Sequence, residues 1–289
     1  TNPCKPEFLW QFTDANLGDT YGQPTAAQIF IEDSNPTPQN NGGGPIVFSP
    51  RQSRGVILLP GGQGVQDAGT CTYTTPGPEL PQGMDEADGT TINPRSDRRC
   101  WRGTTSSPAA LRHGRSMYFI DLITGTLIEE IGEDVFPAPL NGGVSVFRGD
   151  TGTVGSVAYT VDADGLLWRI DMSSPDPEDW GAEALHDMYY DEGFDDAEPT
   201  YYPPALSIDR SGNVVILVGT GNIDVLDDAT AVNQVVSITE NLTFGTDGFV
   251  STLEGRLNWE IELQAGEQMT GPIELFSGQV YFGTFQAGG

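Results

Sequence analysis

"RGDTGTVGSVAYTVDADGLLWRIDM", residues 148–172, decides the fold. Two apolar runs, "VAYTVD" (157–162) and "GLLWRIDM" (165–172), flank a short acidic turn. Asp-x-Asp-Gly between such runs is hairpin chemistry: the carboxylates cap free backbone N–H groups and the glycine takes the left-handed conformation. The same residues also begin a calcium loop, in which oxygens alternate along the chain. That alternation fails at once, because the next alternate position is Leu166. The stretch therefore reads as strand, turn, strand.

The unit recurs. "SMYFIDLITGTLIEEI" (116–131) is a strand ending in Asp, a Thr-Gly turn and a second strand, and "PALSIDRSGNVVILVGTG" (204–221) repeats the form. Further short runs read as strands: "EFLWQF" (7–12), "AAQIFIE" (26–32), "GVILLPGG" (55–62), "QVVSITEN" (234–241), "RLNWEIEL" (256–263) and "QVYFGTF" (279–285). One short helical piece is expected near Glu178–His186. Hairpins that cannot each bury a face alone must stack, and stacking at this spacing predicts an all-β β-propeller. A β-sandwich is the alternative.

The composition agrees. The chain has 289 residues with 37 Gly and 21 Pro, which suits many short strands joined by tight turns. Its net charge is -28 and unevenly spread: residues 1–115 hold 9 Lys and Arg against 11 acids, and residues 116–289 hold 4 against 30. Such a surface repels nucleic acid and anionic lipid and suits a secreted protein with cationic or basic partners. No run approaches the ~18 apolar residues of a membrane span.

Three cysteines are present, Cys4, Cys71 and Cys100. None forms a C-x-x-C pair, so zinc is not expected. Cys71 and Cys100 bracket a segment with little strand pattern, as a loop-stapling disulfide does, which leaves Cys4 either free or paired outside this sequence. Residues 61–108 read as a long insert between strands, carrying Arg98 and Arg99 beside Trp101. Arg and Trp are favoured interface anchors, so these three are expected to form a partner contact. The loop 187–203 mixes six acids with four tyrosines and one phenylalanine. It reads either as a contact loop or as a solvated loop whose tyrosines pack on the rim.

Catalytic signatures are scarce. His113 and His186 are far apart, no G-x-S-x-G elbow occurs, and "PGGQGVQDAG" places Asp67 where a dinucleotide fingerprint needs its third glycine. No catalytic residues are expected, and the chain reads as a non-enzyme. The alternative cation site is Asp224, Asp227 and Asp228, gathered just after a strand.

Five stretches together resemble the PilY family of type IV pilus tip and biogenesis adhesins, at its C-terminal domain. They are "FLWQFTDANLGDTYGQPTAAQI" (8–29), "MYFIDLITGTLI" (117–128), "AYTVDADGLLWRIDM" (158–172), "VVILVGTGNIDVLDDATAVNQVVSITEN" (214–241) and "GEQMTGPIELFSGQVYFGTF" (266–285), in the family's order. The resemblance implies one β-propeller domain over residues 1–289, of modified seven-bladed form with long inserted loops. It also implies a preceding N-terminal region. By the same resemblance the protein sits outside the bacterial cell at a pilus tip. There it docks on minor pilins, supports pilus assembly, motility and surface adhesion, and meets surface or host ligands.

Calcium-binding family members carry a D-x-D-x-D-x-x-x-D loop before the Trp-Arg strand. Aligned on "LLWRIDM", its positions fall on Arg148, Asp150, Gly152 and Ser156, so only Asp150 keeps a carboxylate. No cofactor is expected at that loop. Two other functions fit a propeller: a quinoprotein-like enzyme, whose repeats resemble "MYFIDLITGTLIEEI", and a generic extracellular binding module.

Overall fold

The structure is a computed structural model. It describes residues 8–32, 38–39, 47–48, 51–72, 84–85, 91–92, 97–101, 113–148, 153–190, 197–244, 246 and 250–287. Three sheets, each built around antiparallel strands, follow one another along the chain, the third gaining one parallel pair at its edge where Arg256 meets Asp85. Each has a four-stranded meander in which sequence neighbours pair. The first holds Thr25–Glu32, Arg51–Pro60, Met117–Asp121 and Leu127–Ile131; the second Ser145–Phe147, Val157–Val161, Leu166–Asp171 and Gly181–Asp187. The third holds Ala205–Ile208, Val214–Gly219, Gln234–Phe244 and Val250–Glu262, and two short strands, Met84–Asp85 and Thr91–Ile92, extend its edge. Two small hairpin-like pairs close the described chain, Glu267–Met269 with Thr284–Gln286 and Glu274–Phe276 with Gln279–Tyr281. The fold is all-β, and none of these sheets closes on itself. Among the described residues no helix is long and apolar enough to cross a membrane.

The sheets stack because the second one is apolar on both faces. Trp168, Ile170, Ala158 and Ala184 point to one side, where they meet Ile29, Leu58 and Phe119 of the first sheet. Tyr159, Val161, Leu167 and Leu185 point to the other, against Ile216, Val218, Val236 and Ile238 of the third. Alternation with period two divides a nearly continuous apolar run between two cores. Aromatic edges lock the first core: Phe136 meets Trp168 at 5.1 Å between centroids, and Phe119 meets Trp180 at 5.0 Å. A third core joins Leu217, Val235 and Leu263 to Met269 and Ile273.

The turns repeat one device. Asp121 Oδ1 accepts from the Ile123 and Thr124 N–H groups, Asp162 Oδ1 from Asp164 and Leu166, and Asp209 Oδ1 from Ser211 and Asn213. In each case a glycine follows with positive φ, at 71° for Gly125, 72° for Gly165 and 93° for Gly212. At Gly165 a second constraint applies, since a Cβ there would sit 2.6 Å from the Tyr189 ring.

Several sequence expectations are corrected. Glu178–His186 is not helical: a 3-10 turn covers Pro177–Asp179, and Gly181–Asp187 is the outer strand of the second sheet. Residues 8–12 form no strand; they lie on the first sheet, with Trp10 Nε1 donating to the Leu122 carbonyl at 3.0 Å and Phe12 against Tyr118. The 61–108 insert does carry strand: Gln66–Thr72 and Asp97–Trp101 pair antiparallel. Three of the four tyrosines of 187–203 belong to the core: Tyr189 and Tyr201 are buried, and Tyr202 packs against the third core.

Candidate functional site where three sheets meet

The Asp162 turn is the centre of a buried polar cluster. Its carboxylate is fully enclosed, with Oδ1 capping the turn and Oδ2 accepting from Trp168 Nε1 at 3.0 Å. Burial pushes the Asp162 carboxyl up to about 6, against the pull of the Arg98 guanidinium and with the push of Asp164. Two arginines of the insert strand enter this cluster. Arg98 donates to Asp187 Oδ2 at 2.7 Å, and Arg99 Nε donates to Asp164 Oδ1 at 2.5 Å. A terminal nitrogen of Arg99 also donates to the Ala163 carbonyl, and its guanidinium lies 5.4 Å from the Trp101 ring centroid. Next to Asp187, burial holds the His186 imidazole down to about 4, with Asp187 opposing.

Arg98, Arg99 and Trp101 are therefore not an exposed contact patch. Arg98 is 1% exposed and Trp101 7%. Their physical role is inward: two cations neutralise acids that the second sheet has buried, and so fasten the insert to it. The strands that carry Cys71 and Cys100 pair with each other. Those cysteine side chains lie outside the described residues, as do Cys4 and Asp150.

The acidic loop 222–233 does not assemble a cation site. Asp224 Oδ2 accepts from the Tyr201 hydroxyl at 2.7 Å and from Gln63 Nε2 at 2.9 Å, whereas Asp228 Oδ1 caps Thr230 at its N–H and hydroxyl. Asp227 is exposed. Among the described residues no group of three His, Cys, Asp or Glu is disposed to hold a metal.

A second charged brace joins the second and third sheets. Arg169 Nε donates to Glu240 Oε1 at 2.7 Å, Arg169 Nη1 to Asp171 Oδ2 at 2.9 Å, and the Tyr159 hydroxyl to the other Glu240 oxygen. Burial, with the Glu240 charge beside it, raises the Tyr159 phenol far above its ordinary range and keeps it protonated. These four groups satisfy one another and brace the interface.

Above the Asp162 turn lies a polar pocket of about 180 Å3, to which all three sheets contribute. Gln63 follows the second strand of the first sheet, and Asn222 follows the second strand of the third. Ala163 is the hairpin tip of the second sheet. Asn141 and Tyr201 come from the segments that link the sheets, and Arg99 and Trp101 from the insert. Gln63, Asn141 and Asn222 escaped the sequence reading. A signal for two of them was present: "LLPGGQ" (58–63) and "LVGTGN" (217–222) each end a strand in Gly followed by a carboxamide.

No family model and no curated protein matches the chain. Among solved structures, it is similar to the crystal structure of the Pseudomonas aeruginosa PilY1 C-terminal domain. That likeness is at 13% identity with a TM-score of 0.45, over 93% of this chain and 69% of the other.

Proposed function

We propose that the chain is an arc of a β-propeller and a non-catalytic docking scaffold of the PilY kind, outside the bacterial cell at the tip of a type IV pilus. The observation that supports this most is the coincidence of motif and sheet. The resembling stretches 117–128, 158–172 and 214–241 fall on the strands of the first, second and third sheets in turn. A four-stranded meander stacked face to face on its neighbours is the unit from which propellers are built. Such a body is rigid and presents variable loops, which suits docking on minor pilins. The strong negative charge of residues 116–289, 4 Lys and Arg against 30 acids, favours partners with a basic face.

Capture on the immobilised chain from a sheared pilus fraction tests this reading. Enrichment of minor pilins over the major pilin is expected, weakening as salt rises. Equal recovery of both, or of neither, overturns it.

Resident calcium is not part of this reading. Thermal unfolding in EDTA and then in millimolar calcium is expected to give one midpoint. A ligand at 100 times its dissociation constant adds about 2.7 kcal/mol, so a bound ion would move the midpoint visibly.

A further inference from the structure

We propose that the rim formed by the loop 222–233 and its neighbours from the first sheet is a docking surface for a basic, apolar segment of a partner protein. The inference rests on the scaffold reading but not on the pilus.

The loop is turned inside out. Loops ordinarily send polar side chains to water and apolar ones inward. Between the strands Val214–Gly219 and Gln234–Phe244 the polar groups are instead engaged by the protein itself. Asp224 Oδ2 accepts from the Tyr201 hydroxyl and from Gln63 Nε2, and Asn222 Oδ1 accepts from the Asp224 N–H. The Val225 carbonyl accepts from Gln268 Nε2 at 2.9 Å, the Val225 N–H donates to the Asn222 carbonyl, and the Ala231 carbonyl accepts from the Gly266 N–H. Val225 and Leu226 are left facing water, 43% and 39% exposed. Ties to the first sheet, to the link before the third sheet and to the segment 264–268 hold these two side chains in place. Fixing them beforehand lowers the entropy lost when a partner binds.

They do not stand alone. Gln63 pairs with Asp19 in an isolated antiparallel bridge, and the Tyr21 ring lies 6.2 Å from the Tyr201 ring, edge to face. The same rim therefore carries Tyr21, 54% exposed, and Val65, two residues beyond Gln63 and 43% exposed. One aromatic and three aliphatic side chains, contributed by separate segments and bordered by carboxylates, form the apolar centre and polar border of a protein contact.

Charge selects the partner. Segments 16–24, 61–66 and 222–233 contain Asp19, Asp224, Asp227 and Asp228 and no Lys or Arg. Arg99, below the rim, is committed to Asp164 and to the Ala163 carbonyl. A second copy of this chain would set these carboxylates against their own kind, and nucleic acid and anionic lipid are repelled in the same way. A segment that combines aliphatic side chains with Lys or Arg answers both features. Its apolar groups cover Tyr21, Val65, Val225 and Leu226 while its cations meet the aspartates.

Fluorescence anisotropy with a short amphipathic peptide of Leu and Lys tests the proposal, at an ionic strength where charges more than ~8 Å apart are screened. The peptide is expected to bind, and its counterpart with Glu in place of Lys is expected not to. Val225→Ser/Leu226→Ser keeps every charge and is expected to weaken binding about tenfold, through lost apolar contact. Neither residue belongs to the three cores, so unchanged melting is expected. The control pair Ile208→Ser/Phe244→Ser changes exposed apolar residues away from the rim and is expected to bind as wild type does. No binding of the Lys peptide overturns the proposal. So does equal binding of the Glu peptide, a Val225/Leu226 variant that binds as wild type, or a control pair that costs as much. Minor pilins captured equally by wild type and by the Val225/Leu226 variant would also overturn this surface, while leaving the scaffold reading intact.

Discussion

Arg98→Met is expected to destabilise the protein by about 3–5 kcal/mol at pH 7, read by equilibrium denaturation. The guanidinium is 1% exposed, donates to a fully buried Asp187 at 2.7 Å, and draws the Asp162 carboxyl downward. Methionine fills similar space without the charge. It leaves Asp162, Asp164 and Asp187 enclosed with Arg99 as the remaining insert cation on the cluster. The cost carries a pH signature. Carboxylates deprived of a cation hold their protons to higher pH, so the gap between variant and wild type narrows as pH falls from 7 toward 5. The double variant Arg98→Met/Asp187→Leu is expected to cost well under the sum of the two single changes, because removing both charges leaves neither stranded. A cost for Arg98→Met below about 1 kcal/mol would mean that the insert is not fastened through this pair.

That fastening was illegible in the sequence. Arg98 and Arg99 stand in a stretch with weak strand pattern, where beside Trp101 they read as an exposed partner contact. Their partners lie 89 and 65 residues downstream, in a different sheet. Only the three-dimensional pairing shows that the acids are buried and need cations. The outer strand Gly181–Asp187 was missed for a similar reason. "GAEALHD" has good helix formers and few β-branched residues, and its register against Leu166–Asp171 overrides that local preference. The hairpin turns were legible, because Asp121, Asp162 and Asp209 each sit three or four residues before a glycine and the turn chemistry is local. The pocket was half legible. "PGGQG" was weighed as a nucleotide loop on its glycines alone, and its likeness to "VGTGN" appears only once both are seen to end second strands of equivalent sheets.

His186→Met and Asp162→Asn are expected to tilt the pH profile of stability in opposite directions. In the fold the His186 imidazole is held down to about 4, against about 6.5 in the unfolded chain. Between those values the unfolded chain binds the extra proton, so this group's stabilisation is full above pH 6.5 and is lost as pH falls through the folded value. The integrated loss is about 3 kcal/mol. Asp162 behaves oppositely. Its folded carboxyl is raised to about 6 against about 3.9 when unfolded, so between those values the fold binds the extra proton. Its contribution is full below pH 3.9 and falls away as pH rises through 6, again by about 3 kcal/mol. In the wild type the two oppose each other between pH 4 and 6. His186→Met removes the acid loss, so the variant gains on wild type by about 2–3 kcal/mol between pH 7 and 4.5. Asp162→Asn removes the acid gain and falls behind over the same range. The remaining carboxylates, at net charge -28, add a slope shared by all three proteins, so the differences between profiles isolate the two groups. Urea denaturation at pH 7, 5.5 and 4.5 reads them directly. Parallel profiles for wild type and His186→Met would show that the imidazole titrates in the fold as it does in water, and would remove the burial argument for the cluster around Asp187.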